Sequence, residues 1–333
     1  MEKYFSNKDR AQTMDHFIGI EVLIDLKLSA DHRQLKQHRK RRHAMSLKDA
    51  LLSLEGLSVG DAFGEMFFSR FPAERKLPEA PWQWTDDTHM ALSIVEVLEK
   101  YGGIDQDALA KAFAERYMQQ PWRGYGGGAK KLLVRIAVGE DWRDGAPALF
   151  GGGSYGNGGA MRAAPIGGYF SGDPERAARE ARLSAMITHA HPEGQAGAMA
   201  VAAAAAITSG KEYPSGNSFI SEIVQFVPAG LTRDGIEEAM LIPCDDLADA
   251  VQRLGTGNNV SAQDTVPFCL WNAAHHLADF EEALWNTVEG LGDRDTTCAI
   301  VGGIVVLSAR NIPREWIIRR EPLPEGFETE TLI

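Results

Sequence analysis

Cysteine is scarce in this 333-residue chain. Cys244, Cys269 and Cys298 are scattered and odd in number, so they offer neither a disulfide framework nor a zinc-binding spacing. Long apolar runs are also missing. None reaches the roughly 18 residues of a membrane span. The most apolar N-terminal stretch, Phe17 to Leu28, is interrupted by Glu21, Asp25 and Lys27 and is followed by no small-residue cleavage site, which argues against a signal peptide. A cytoplasmic protein without membrane contact is expected. Positive charge is in deficit, with 34 Lys and Arg against 46 Asp and Glu, for a net charge of -12. An acidic body repels nucleic acid, so none is expected as a partner. Recurring strand–helix alternation and any repeat of fixed period are absent as well.

What positive charge there is gathers at the front. Residues 1–46 hold ten Lys and Arg and six Asp and Glu. Within them Ile18, Ile20, Val22, Ile24, Leu26 and Leu28 alternate with mostly polar neighbours, as in a half-buried strand. Phe17, Ile20, Ile24 and Leu28 also fit one helix face. Residues 1–45 read as a basic extension. It either packs on its own domain or serves as an arm that binds a partner by strand addition or in a groove.

From Ser46 the pattern turns helical. Leu51, Leu54 and Leu57 recur at helical spacing, as do Met90, Ile94, Val97 and Leu98. Further helices are predicted over 107–119, 175–189, 196–207, 234–254, 261–277 and 294–308, separated by glycine- and proline-rich punctuation. The fold class is therefore all-α, with one compact multi-helix domain over 46–315. Residues 316–333 read as an acidic tail, poorly ordered from Glu321.

Two acidic clusters stand at predicted helix starts. Thr85-Asp86-Asp87-Thr88 precedes a helix expected to begin near His89, and Gly292-Asp293-Arg294-Asp295-Thr296-Thr297 precedes the apolar helix through Ile304. Each cluster alone is explained by capping and by the helix dipole. Together, four carboxylates converging on one spot would repel one another unless cations neutralised them. Oxygen donors without nitrogen or sulfur select a hard ion, Mg²⁺ or alternatively Mn²⁺, and two ions would balance four charges.

Glycine loops are the other chemical signal. The run from Gly151 to Arg162 allows backbone N–H groups to approach a phosphate, with Arg162 able to add charge, although an ordinary flexible loop has the same spacing. Gly124-Tyr125-Gly126-Gly127-Gly128 places an aromatic that could stack on a base. His189 and His191 stand two apart, too close for one helix face, so a structural histidine is the default and a hydrogen bond from His189 to a ligand the alternative.

In order along the chain, Gly60-Asp61-Ala62-Phe63-Gly64, Thr85-Asp86-Asp87-Thr88, Tyr125-Gly126-Gly127-Gly128, Gly156-Asn157-Gly158-Gly159-Ala160-Met161-Arg162, Thr188-His189 and Gly292-Asp293-Arg294-Asp295-Thr296 resemble the motifs of the ADP-ribosylglycohydrolase family, over about residues 47–312. The resemblance implies an all-α bundle with two Mg²⁺ ions held by Thr85, Asp86, Asp87, Asp293, Asp295 and Thr296. It places ADP-ribose against Tyr125, Gly126, Gly127, Gly128, Gly156, Asn157, Gly158, Met161, Arg162 and His189. It also implies hydrolysis of the N-glycosidic bond between ADP-ribose and a protein side chain, arginine first. Arg294 stands where the family usually has Thr. Phe68 occupies a position where the family often has a glutamate, and Glu65 is the substitute; Glu65, Asp87 and Asp295 are thus the candidate acid–base residues. Some bacterial relatives look like antidotes to ADP-ribosyltransferase toxins. The alternative reading is therefore an immunity protein whose residues 1–45 occlude a toxin's active site.

Overall fold

The computed structural model describes residues 46–69, 75–210 and 212–329. The expected arm, 1–45, lies outside the described residues.

Fifteen α-helices make up the described body: α1 (46–65), α2 (Asp86–Tyr101), α3 (Gln106–Gln119), α4 (Gly127–Ala137), α5 (Trp142–Ala148), α6 (Ala164–Tyr169), α7 (Pro174–Met186) and α8 (Pro192–Thr208) in the first part. They continue with α9 (Gly216–Val224), α10 (Leu231–Ala239), α11 (Leu247–Leu254), α12 (Ala262–His276), α13 (Phe280–Glu289), α14 (Arg294–Ala309) and α15 (Arg314–Arg319). No strand occurs among the described residues, only the isolated bridges Trp82 to Arg320 and Gly156 to Ser261. The all-α reading holds.

Three helices form the centre. Every residue of α1 from 52 to 64 is buried, and α8 is apolar almost all round, as befits core helices rather than surface ones. The third, α14, is packed against α1 at very short range. Gly56, Gly60 and Gly64 fall four residues apart and line one face of α1. A Cβ added at Gly60 would lie 2.1 Å from the carbonyl oxygen of Cys298, and one at Gly64 2.1 Å from that of Arg294. Only bare glycines permit that approach of two backbones. It sets the ends of α1 and α14 side by side, which matters for the site.

Two predicted elements differ in the structure. The segment 234–254 is two helices, α10 and α11, because the intervening chain carries Pro243, which lacks an N–H and cannot continue a helix. The tail is not loose as far as residue 329. Trp82 donates its N–H to Arg319 O at 2.7 Å and accepts from Glu321 N–H at 2.7 Å. Arg320 makes a buried ion pair with Glu55 at 2.5 Å, and Leu323 is buried. Trp316 joins an aromatic cluster with Phe63, Trp82 and Trp285, the Phe63 and Trp316 ring centres 4.4 Å apart. This burial overrides the tail's acidic, proline-containing composition.

Candidate active site

Asp61 organises one side of the site. It follows Gly60 on α1, so the close packing that places α1 also places its carboxylate beneath the start of α2. The carboxylate accepts from the backbone N–H of Thr85 at 2.9 Å and of Thr88 at 3.1 Å, and from the hydroxyls of Thr85 at 2.9 Å and Thr88 at 2.5 Å. Burial nevertheless raises Asp61 to about 6, against the opposing effect of those bonds. Thr85 is the N-cap of α2. The helix starts at Asp86, earlier than His89.

The Thr85 hydroxyl has one hydrogen and two carboxylate oxygens within reach, Asp61 Oδ1 at 2.9 Å and Asp87 Oδ2 at 3.0 Å. It cannot serve both. Asp87 Oδ1 is buried with no hydrogen-bond partner among the described residues. Burial, then the charges of Asp61 and Asp86, push Asp87 well above the usual carboxylate range, and burial and Asp61 push Asp86 up to about 7.

The second acidic cluster meets the first through α1 and α14. Asp293 occupies the N-cap position of α14, yet its side chain does not cap the helix. It accepts from Asn157 Nδ2 at 2.7 Å, which ties the glycine loop to the acids. Asp295 is held well above its ordinary pKa by burial and by Asp87, Asp293 and Asp61, so the two helix entrances share one field. Thr296 is buried beside it and gives its N–H to Asp295 Oδ1 at 2.8 Å. Arg294 points away, donating to Phe67 O at 2.5 Å and lying over the Phe68 ring, so the arginine at this position leaves its acidic neighbours unobstructed.

Glu65, Phe68, Thr85, Trp122, Arg123 and Asp295 line an open cleft of ≈ 490 Å³. Glu65 is exposed, the last residue of α1, with its carboxyl raised by partial burial and by Asp61 and Asp293. Trp122 is 73% exposed on the rim. Arg123 stacks 3.5 Å from the Trp84 ring centre, donates to Trp84 O and makes a two-bond pair with Glu321 at 2.7 and 2.8 Å. The docked tail thereby forms one wall.

Among the expected ligand residues, Gly156, Asn157, Gly158 and Met161 form a short 3-10 turn and its exit over His189. Gly126, Gly127 and Gly128 open α4, with Gly126 and Gly127 facing free space. Two expectations need correction. Tyr125 is 1% exposed, bonded through its hydroxyl to His89 Nδ1 at 2.8 Å and edge-on to Tyr117, so its ring is not offered to a base. Arg162 is fully buried, with its guanidinium 4.5 Å from the Phe113 ring centre and bonded to Ser184 O and Thr188 Oγ1. Its charge acts on Asp86 and Asp87, and its burial leaves it unexposed to a ligand on the surface of the glycine loop. Asp61, Arg123 and Glu321 belong to the site although sequence reasoning did not select them. Asp61 had a signal in its Gly-Asp-x-x-Gly setting; the Arg123–Glu321 pair, 198 positions apart, had none.

As to cations, the donors gathered here are all oxygens, one buried carboxylate oxygen lacks a partner, and the acids repel one another, a chemistry that fits a hard divalent ion. Among the described residues no group of three or more His, Cys, Asp or Glu side chains could hold an ion unaided. Hydroxyl or ligand oxygens would have to complete any coordination shell.

A family model, ADP-ribosylglycohydrolase, matches residues 45–331. The chain belongs to the ADP-ribosylglycohydrolase family. An uncharacterised protein of Archaeoglobus fulgidus is 29% identical over 280 residues, covering 79% of this chain and 88% of that protein. The ADP-ribosylhydrolase ARH3 of Gallus gallus is 37% identical over 161 residues (47% of this chain, 42% of ARH3), and that of Homo sapiens 43% over 121 residues (35% and 32%). The matched region is less than half the length of these ARH3 relatives. A solved ADP-ribosylglycohydrolase-related protein complex shares the fold at a TM-score of 0.51 and 23% identity, covering 84% of this chain and 94% of that one. Membership in this glycohydrolase family supports hydrolysis of ADP-ribosyl groups in general. No helix among the described residues is long and apolar enough to cross a membrane.

Proposed function

We propose that this ADP-ribosylglycohydrolase removes ADP-ribose from modified arginine side chains in a Mg²⁺-dependent reaction. The observation that carries the reading is the meeting of Asp86 and Asp87 with Asp293 and Asp295 beside a cleft edged by Glu65. Thr85, Asp86, Asp87, Asp293, Asp295 and Thr296 would hold two Mg²⁺ ions. Bound there, the metal supplies positive charge that offsets the acids and Lewis acidity toward ribose and water oxygens.

The chain's own groups do the rest. The Gly156 and Asn157 N–H groups are bonded to Ser154 Oγ and Val260 O, so the Gly156–Gly158 turn would serve the pyrophosphate chiefly through the close approach its side-chain-free glycines permit. An ADP-ribosylated guanidinium is cationic, so an exposed Glu65 carboxylate at the cleft mouth attracts and orients it. Asp87 or Asp295 accepts the proton of the attacking water as the C1–N bond breaks and guanidine leaves. The test is incubation with Mg²⁺ and model peptides bearing ADP-ribose on arginine or on serine, with an EDTA control. Free ADP-ribose released from the arginine peptide alone is expected. Release of AMP or inorganic phosphate instead would replace the reading by a phosphohydrolase.

The charge split along the chain favours one addition, that the basic residues 1–45 bind an ADP-ribosyltransferase toxin and make the protein an antidote. Deleting 1–45 should then abolish stoichiometric toxin binding and leave hydrolysis intact.

A further inference from the structure

Behind the glycine loop lies a buried polar relay that the mechanism above does not use. The Arg162 Nη2 group donates to Thr188 Oγ1 at 2.8 Å and to Ser184 O at 3.2 Å. Thr188 Oγ1 is in turn 2.8 Å from His189 Nδ1. All three residues are buried, Arg162 completely and Thr188 to 2% exposure. Thr188 and His189 sit just after α7, in the turn that leads into α8, and Arg162 reaches them from the segment just before α6.

Hydrogen counting decides its direction. Guanidinium has donors only, so Thr188 Oγ1 must accept from Arg162. That leaves the single Thr188 hydroxyl hydrogen, and the described residues offer it one acceptor, His189 Nδ1. A proton on Nδ1 would point at an oxygen already accepting from Arg162 and would leave the threonine hydrogen buried without a partner, at a cost of about 1–3 kcal/mol. Nδ1 is therefore unprotonated, and the neutral ring carries its hydrogen on Nε2. Burial and the Arg162 charge, which depress His189 to about 3, keep the ring neutral.

The Nε2 edge faces the glycine loop. A Cβ at Gly156 would fall 3.3 Å from His189 Nε2, and one at Gly158 3.0 Å from Nε2 and 2.8 Å from Cε1. Glycine at these two positions leaves the edge uncovered, and Nε2 has no hydrogen-bond partner among the described residues. We infer that Arg162 and Thr188 are positioning residues that lock His189 as the Nε2–H tautomer, so that it donates to an acceptor oxygen of the ligand seated on the Gly156–Gly158 turn. The tautomer stands on the geometry alone, whereas the ligand half rests on the ADP-ribose reading.

Nitrogen-15 spectra of the full chain with labelled histidine test both halves, His189→Gln identifying the resonance. The wild-type spectrum is expected to show His189 protonated at Nε2 and bare at Nδ1, without ligand, from pH 5 to 8. Thr188→Val should lose that preference and raise KM for the substrate about tenfold, the size of one lost hydrogen bond, with kcat within about twofold. Thr188→Ser should restore both. Adding ADP-ribose should shift the Nε2–H resonance. A wild-type ring protonated at Nδ1, or a Thr188→Val ring unchanged from wild type, would overturn the relay. ADP-ribose that binds without moving Nε2–H would overturn the donor role. Failure of ADP-ribose to bind at all would defeat the functional reading and the donor role, while the ligand-free spectrum still decides the tautomer.

Discussion

Asp87 shows how one residue couples stability to chemistry. Its folded pKa lies above its unfolded value of 3.8, so between the two the native state binds more protons than the unfolded one. Its contribution is fully present below 3.8 and is lost as pH rises through the elevated folded value. Asp87→Asn removes this loss. In EDTA, the variant should therefore gain stability over the wild type as pH is raised from 4 to 8, measured by urea unfolding. Its turnover with Mg²⁺ should fall by at least about 10²-fold. His189 has the opposite sign. Its pKa drops to about 3 from 6.5, so wild-type stability declines on acidification below 6.5, and His189→Gln should flatten that limb of the curve.

Among the elements, the α1–α14 contact governs where the acids stand. Gly60→Ala would press a methyl against the Cys298 carbonyl, which is backbone and has little room to move. Overpacking of this kind costs about 1–3 kcal/mol or more, and here it also pushes Asp61 away from Thr85 and Thr88. Urea midpoints should fall and hydrolysis should be lost together. The Glu55–Arg320 pair ties α1 to the segment after α15. Arg320→Met leaves Glu55 buried and unpaired and should cost about 3–5 kcal/mol, whereas Glu55→Leu combined with Arg320→Met should recover most of it.

At the level of the whole molecule, the tail walls one side of the cleft. Arg123 has 10% of its side chain exposed and joins Trp84, Gln120 and Glu321. Truncation after Arg320 should free that arginine, raise KM and leave most of the helical circular dichroism, since the helices end at Arg319. An unchanged KM would show that this wall does not touch substrate.

Much of this protein was legible from local pattern. Helical periodicity, the two acid-bearing helix starts and the oxygen-only donor chemistry depend on residues within a turn or two of one another, and a sequence displays such neighbours directly. The tertiary structure alone decided which of them meet. It brought Asp87 to Asp295 through bare glycines on α1, turned Tyr125 and Arg162 into the core, and walled the cleft with Arg123 and Glu321. The reason is physical: direction and burial of a side chain follow from how distant helices pack, and no periodicity within either helix encodes its partner.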